Sequence, residues 1–301
     1  MRIPHPIPYQ GSKRNIADSI LKYFPDTVDR LIEPFTGSAA ISIASAYFSK
    51  AQKFVLNDKN EPLMNLWKEI IYNPHTLINN YHRLWHSQLG DEENFYFDVR
   101  AKFNRELKPE YLLYLLARCV KAAVRYNAKG EFNQSADNRR KGRVPESMRN
   151  DILSVSELFR NKVELFSLDY MNLFSLIQKD DLVYLDPPYQ GTGANGGFNY
   201  LENININEFL DFLHELNRKN IAYILSFDGR TNEKRYGAEL PESLNLIKIE
   251  INAGRSSQAT LLNRTEITFE SVYISQALAK KINVNELRYI KEKQEQLLFA
   301  N

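Results

Sequence analysis

Apolar residues along this chain fall into two textures: short unbroken runs, and longer stretches with helical spacing. Residues 28–32, 54–56, 163–168, 182–185 and 221–227 are brief β-prone runs, the mark of strands buried in a sheet. Two further β-prone runs span 244–251 and 266–274. Between them lie amphipathic stretches: Ile16, Ile20, Leu21 and Phe24, ending at Pro25; Ile41, Ile43, Ala44, Tyr47 and Phe48; and Phe209, Phe212, Leu213 and Leu216. Strands alternating with helices predict an α/β sheet. From Pro62 to about Leu158 the strand signals vanish. Amphipathic runs succeed one another there, through Leu63, Leu66, Trp67, Ile70 and Ile71, then Leu77, Ile78, Tyr81 and Leu84, then 111–124. This predicts a helical insertion over 62–158, between the second and third strands, with the sheet built from 1–61 and 159–301.

The ends of the strands carry the chemistry. The run 182–185 stops at Asp186-Pro187-Pro188-Tyr189. Two prolines fix φ and remove two N–H donors, so the ladder cannot continue. A carboxylate, a proline carbonyl and an aromatic ring are presented at a strand's carboxyl end, where open α/β sheets bind ligands. A planar primary amine there could donate to Asp186 and to the Pro187 carbonyl while its ring stacks on Tyr189. The plain alternative is a turn, where Asp and Pro are common. The run 28–32 leads into Glu33-Pro34-Phe35-Thr36-Gly37-Ser38 and a helix. With one glycine and no Gly-Lys-Ser/Thr, this is neither a dinucleotide fingerprint nor a phosphate loop, so the ligand should lack a pyrophosphate. Asp58 ends the next strand, 21 residues beyond Gly37, near the spacing at which an acidic residue reaches ribose hydroxyls. Ser12 is placed to cap the first helix. Lys13, in that helix's first turn, opposes the dipole and so hints at an anionic partner such as a carboxylate.

Composition fits a globular enzyme, with 43% hydrophobic and 25% charged residues in 301. A net charge of +2 does not by itself argue for nucleic acid, so any basic surface must be local. It is local: nine Lys/Arg face three Asp/Glu between Arg118 and Arg149. Asn, Gln and Tyr are interleaved with them, as suits phosphate and base-edge contacts. Within this stretch Asn127 to Gly130 suits a hairpin turn. Cys119 is the single cysteine, which rules out an internal disulfide and a cysteine-based zinc site. His82 and His86 share a helix face, but no glutamate follows His82 and no third ligand is evident, so no metal is expected. The start is no signal peptide and no apolar run approaches about 18 residues, so a cytoplasmic protein is expected. The glycine-rich stretch 191–199 reads as a mobile lid.

Together, and in this order, these pieces resemble the Dam-type (alpha-class) DNA adenine-N6 methyltransferases over roughly residues 8 to 274. The shared motifs are the N-terminal lysine, Glu-Pro-Phe-x-Gly, Arg-Tyr-Asn-x-x-Gly-Glu-Phe-Asn inside the insertion, and Asp-Pro-Pro-Tyr. The resemblance implies a Rossmann-like mixed sheet of seven strands with the last antiparallel, a helical target-recognition insertion, and S-adenosylmethionine as cofactor. It places Tyr9, Lys13, Glu33, Phe35, Gly37, Asp58, Asp169, Tyr170 and Asp186 around the cofactor. It makes Asp186, Pro187, Pro188 and Tyr189 the catalytic motif that holds an adenine flipped out of double-stranded DNA. Arg125, Asn127, Lys129, Asn133, Arg139, Arg140, Lys141 and Arg143 become the DNA-binding candidates. Residues 134–143 are more basic than the family pattern, so a GATC target is not assumed. A cognate restriction endonuclease acting separately is a compatible partner. Rival readings are another amine, at cytosine N4, an RNA adenine or a protein glutamine, or a DNA-binding relative without catalysis.

Overall fold

A computed structural model describes residues 2–188, 204–231, 234–236, 240–255 and 267–282. The predicted strands form one mixed sheet. They are β1 (Val28–Glu33), β2 (Ala51–Asn57), β3 (Val163–Phe166), β4 (Leu182–Leu185), β5 (Ala222–Thr231), β7 (Ile247–Arg255) and β8 (Ile267–Ile274), in the order β3-β2-β1-β4-β5-β8-β7. A short β6 (Lys234–Tyr236), too brief and polar to read from the sequence, pairs with β5 off this path. The first five strands in that order are parallel, while β8 runs antiparallel to both β5 and β7. The last strand is therefore reversed, as expected. Because β1 lies between β2 and β4, the connections leave it in opposite directions, and a crevice opens at the carboxyl ends of β1 and β4.

Alternation sorts the strand residues between two faces. Leu182 and Tyr184 join the larger hydrophobic cluster, whereas Val183 and Leu185 join the second, with Ile32, Val55 and Tyr223. Helix α8 (Ile206–Arg218) covers the second face through Phe209, Phe212, Leu213 and Leu216. On the first face lie the short α1 (Ala17–Leu21) and α2 (Ala40–Tyr47). Between β2 and β3 come α3 (Glu61–Tyr72), α4 (Pro74–Ser87), α5 (Glu92–Glu106), α6 (Pro109–Arg118) and α7 (Pro145–Phe159). Proline stands in the first turn of α3, α4, α6 and α7, where its fixed φ favours a start and its missing N–H costs nothing. Their apolar sides belong to the same cluster as the sheet's first face, so the hydrophobic interior runs unbroken from strands to insertion. After β8 follows α9 (Gln276–Lys281).

Two sequence expectations change. The run 111–124 is helical only to Arg118, because Lys121 and Ala122 adopt φ of 59° and 51° and Cys119 pairs with Ala136 instead. Ser12 caps nothing: its hydroxyl accepts from Ser38 Oγ at 2.7 Å, and Lys13–Asn15 forms a tight 3-10 turn ahead of α1.

Candidate active site

A cavity of about 740 Å³ opens at the carboxyl ends of β1, β2 and β4. Of the nine expected cofactor residues all line it, and so do Pro187 and Pro188. Tyr189 and the glycine-rich stretch 191–199 lie outside the described residues. Asp186 follows directly on β4, and its Oδ1 lies 3.1 Å from the Lys13 ammonium. Glu270 Oε2, from β8, is 3.6 Å from the same nitrogen. Lys13 is only 6% exposed. Burial alone would push its pKa down, but Asp186 and Glu270 outweigh this and hold it above the ordinary lysine value. The anionic partner that Lys13 hinted at is thus a pair of carboxylates.

The turn after β1 is assembled by hydrogen bonds from three directions. Glu33 is buried, and its Oε1 accepts from the Ser42 N–H at 2.7 Å. Burial pushes the Glu33 carboxyl up to about 8, against the Ser42 bond and with help from nearby Asp186. Gly37 sits at φ +48°, which strains any larger residue, and a Cβ there would come 3.0 Å from the Tyr9 ring, so that ring would have to give way. Its carbonyl accepts from Trp67 Nε1 and its N–H donates to Asp58 Oδ2, both at 3.0 Å. The other Asp58 oxygen accepts from the Asn60 N–H at 3.0 Å. Burial raises Asp58 to about 6 despite these two donors. Asp58 therefore does more than face a ligand, since it ties the turn after β1 to the turn after β2. Asn57, at the end of β2, donates to the Pro34 and Leu168 carbonyls and so aligns the ends of β1 and β3.

Phe35 and Tyr170 bring aromatic rings to the lining, backed by Phe209. Phe35 and Tyr170 are 5.1 Å apart between centroids, and Phe209 stands 6.3 Å from Phe35. Asp169 is on the rim, paired with Lys59 at 3.3 Å and accepting from the Met171 N–H. The Tyr170 hydroxyl and Asn60 Nδ2 are buried with no hydrogen-bond partner, and both residues line the cavity. Neither Asn60 nor Glu270 was picked out from the sequence. Asn60 looks like a helix start, and Glu270 reads as the solvent-facing member of an alternating strand; only a charge amid the apolar run 267–274 could have singled it out.

A sequence model of the D12 class of N6 adenine-specific DNA methyltransferases matches residues 9–252. The chain belongs to this family. The retron Ec67 DNA adenine methylase of Escherichia coli is 30% identical over 190 residues, 61% of this chain and 63% of its own length. Type II methyltransferase M1.LlaDCHI of Lactococcus lactis subsp. cremoris is 27% identical over 278 residues, covering 86% of this chain and 91% of that protein. Modification methylase StsI of Streptococcus sanguinis is 27% identical over 270 residues, 85% of this chain but 40% of its own length.

In this D12-class chain the basic stretch of the insertion is a hairpin followed by a clamped loop. Tyr126 and Phe132 bridge antiparallel, the Asn127 N–H donates to the Glu131 carbonyl at 2.8 Å, and Gly130 turns at φ +76°. The expected hairpin is present. Asn127 itself is spent on the turn: Oδ1 accepts from the Lys129 and Glu131 N–H groups and Nδ2 donates to Glu131. Arg125 is half-buried, whereas Lys129 and Asn133 are exposed. Arg139 and Arg140 both hold the buried Asp137, at 2.9 and 2.8 Å. Arg139 foremost, with Arg140, keeps that carboxyl well below the usual range against the opposing effect of burial. Lys141 pairs with Glu92 at 2.8 Å. Arg143 turns inward to Asp151 and Ser147 and is not presented outward with its neighbours. The His82 and His86 rings lie 4.3 Å apart, and among the described residues no cluster of metal-ligating side chains occurs. No described helix is long and apolar enough to cross a membrane.

Proposed function

We propose that this chain transfers a methyl group from S-adenosylmethionine to N6 of an adenine turned out of double-stranded DNA. One observation carries the reading: Asp186-Pro187 at the end of β4 opens into the same cavity as Glu33, Phe35, Gly37 and Asp58. The cavity suits the cofactor. Its charged lining holds six carboxyl groups against two lysines, which favours a cation, it carries aromatic rings for a purine, and its buried Tyr170 hydroxyl and Asn60 amide lack partners. Bound there, S-adenosylmethionine supplies an electrophilic methyl group on a sulfonium sulfur.

The chain's own residues do the rest. Tyr9, Lys13, Glu33, Phe35, Gly37, Asp58, Asp169 and Tyr170 hold the cofactor. The Asp186 carboxylate and the Pro187 carbonyl accept the two N6 hydrogens of the flipped base, orienting its lone pair and raising electron density on nitrogen. As the nitrogen becomes positive, Asp186 stabilises it and takes the proton that the new substituent makes acidic. Stacking of the base on Tyr189 rests on the motif alone. Residues 62–158 act as the DNA-recognition domain, with Arg125, Lys129 and Asn133 nearest the hairpin and Arg139, Arg140 and Lys141 available to phosphates. A restriction endonuclease acting separately would cut the unmodified sites.

The test is to incubate the chain and labelled cofactor with unmethylated duplex DNA and, separately, with RNA, and to identify the product nucleoside. N6-methyladenine at defined sites is expected. Label in cytosine N4 or RNA would shift the amine; cofactor binding with no transfer to any nucleic acid would leave a DNA-binding relative.

A further inference from the structure

Glu270 enters the cavity because of an irregularity in β5. Ser226 faces Val272 and Gly229 faces Glu270, so β5 uses three steps where β8 uses two. The extra residue makes a bulge, with Asp228 at φ +59°. Gly229 is obligatory there, since a Cβ would lie 2.7 Å from the Phe269 carbonyl oxygen. Glu270 shares a face of β8 with Val272 and Ile274, whose side chains join the larger hydrophobic cluster. It extends that face past the apolar layer to the place where Lys13 meets Asp186.

Among the described residues, the titratable groups facing this point are Lys13 from the N-terminal turn, Glu33 from β1, Tyr184 and Asp186 from β4, and Glu270 from β8. Ser226 of β5, which does not titrate, holds the Tyr184 hydroxyl at 2.7 Å. Glu33, pushed up to about 8 by burial, adds little charge at neutral pH. Among these described groups one ammonium is therefore set against two carboxylates. A buried Lys13 paired with Asp186 alone would be neutral, and it would draw the acceptor strength of that carboxylate onto itself.

We propose that Glu270 is a positioning residue for methyl transfer: by sharing the Lys13 ammonium with Asp186, it leaves the cluster with one excess negative charge and keeps Asp186 a strong acceptor for the N6 amine. This rests on the reading of the site as an adenine methyltransferase centre. The excess charge is matched to the positive charge that arrives on the nitrogen with the methyl group.

The experiment is single-turnover methylation of duplex DNA by wild type, Glu270→Gln, Lys13→Met and the double variant, across pH. Glu270→Gln should lower the transfer rate by about tenfold or more, with cofactor and DNA affinities within about threefold. Its acid limb should move to lower pH, because loss of a neighbouring negative charge makes Asp186 easier to ionise. In the Lys13→Met background, assayed at saturating cofactor, two carboxylates are left facing one another, and Glu270→Gln should be neutral or restorative. Equal losses in both backgrounds, or a fall at all pH with the acid limb unmoved, would mean a merely structural Glu270 and overturn the inference. Wild-type transfer with a fully active Glu270→Gln would overturn it while sparing the functional reading; a wild type that transfers nothing would overturn both.

Discussion

Two carboxyl groups of this site, Glu33 and Asp58, are buried with no ion pair among the described residues, and their protons link stability to pH. Glu33 in the folded chain holds its proton up to about 8, whereas the unfolded chain releases it near the ordinary value of 4.5. Between those limits the unfolded state binds fewer protons, so stability falls as pH rises and levels off above about 8. Urea unfolding from pH 5 to 9 should show this slope in the wild type and a shallower one in Glu33→Gln, with the difference reaching on the order of a few kcal/mol at the alkaline end. Asp186→Ala should lose methyl transfer while still binding cofactor in calorimetry, because β4 itself is held by four fully buried apolar residues. Asp58→Ala should weaken cofactor binding by about 1.5–3 kcal/mol. Unlike Asp186→Ala it should also lower the melting temperature, since Asp58 supports two turns. Asp186, Lys13, Glu33 and Gly37 were legible in the sequence because strand ends and motif order expose them. The scaffolding half of Asp58's work was not, because hydrogen bonds across 21 residues leave no local pattern.

At the scale of elements, unbroken apolar runs made the strands legible, and apolar spacing marked the helices. What stayed hidden depends on register. The β5 bulge, the early end of α6 and the side-chain commitments of the basic loop each require a partner strand or loop that no single segment names. Those commitments matter for DNA binding. Asp137 neutralises part of what Arg139 and Arg140 offer, so Asp137→Ala should steepen the salt dependence of non-specific DNA affinity by about one unit. Lys129→Ala should flatten it by about one unit. Fluorescence anisotropy across salt concentrations measures both. Asn127→Ala, by contrast, should act through the fold of the hairpin, seen as faster amide exchange at Gly130 and Glu131, whose N–H groups donate within the turn.

For the whole molecule, the unbroken hydrophobic cluster from sheet to insertion sets the cooperativity of unfolding. The chain's two tryptophans, Trp67 and Trp85, both lie in the insertion, and Trp67 also bonds the Gly37 carbonyl, so their fluorescence reports on the insertion and its seam with the sheet, while far-ultraviolet dichroism reports on everything. The two signals should fall together in urea, and cofactor should move both midpoints upward; an earlier tryptophan transition would show the insertion melting by itself. The N-terminal segment is bound into this unit from far along the chain. Arg2 and the His5 N–H both reach Asp151, and Lys13 reaches Asp186 and Glu270. On a ribosome, where chains fold as they emerge, Arg2 and His5 must wait until α7 has been synthesised before Asp151 is there to hold them. Lys13 meets Asp186 after β4 and its second carboxylate only when β8 appears. Part of the pocket's lining is thus completed from far along the chain, and a nascent chain halted anywhere before residue 270 carries an unfinished pocket.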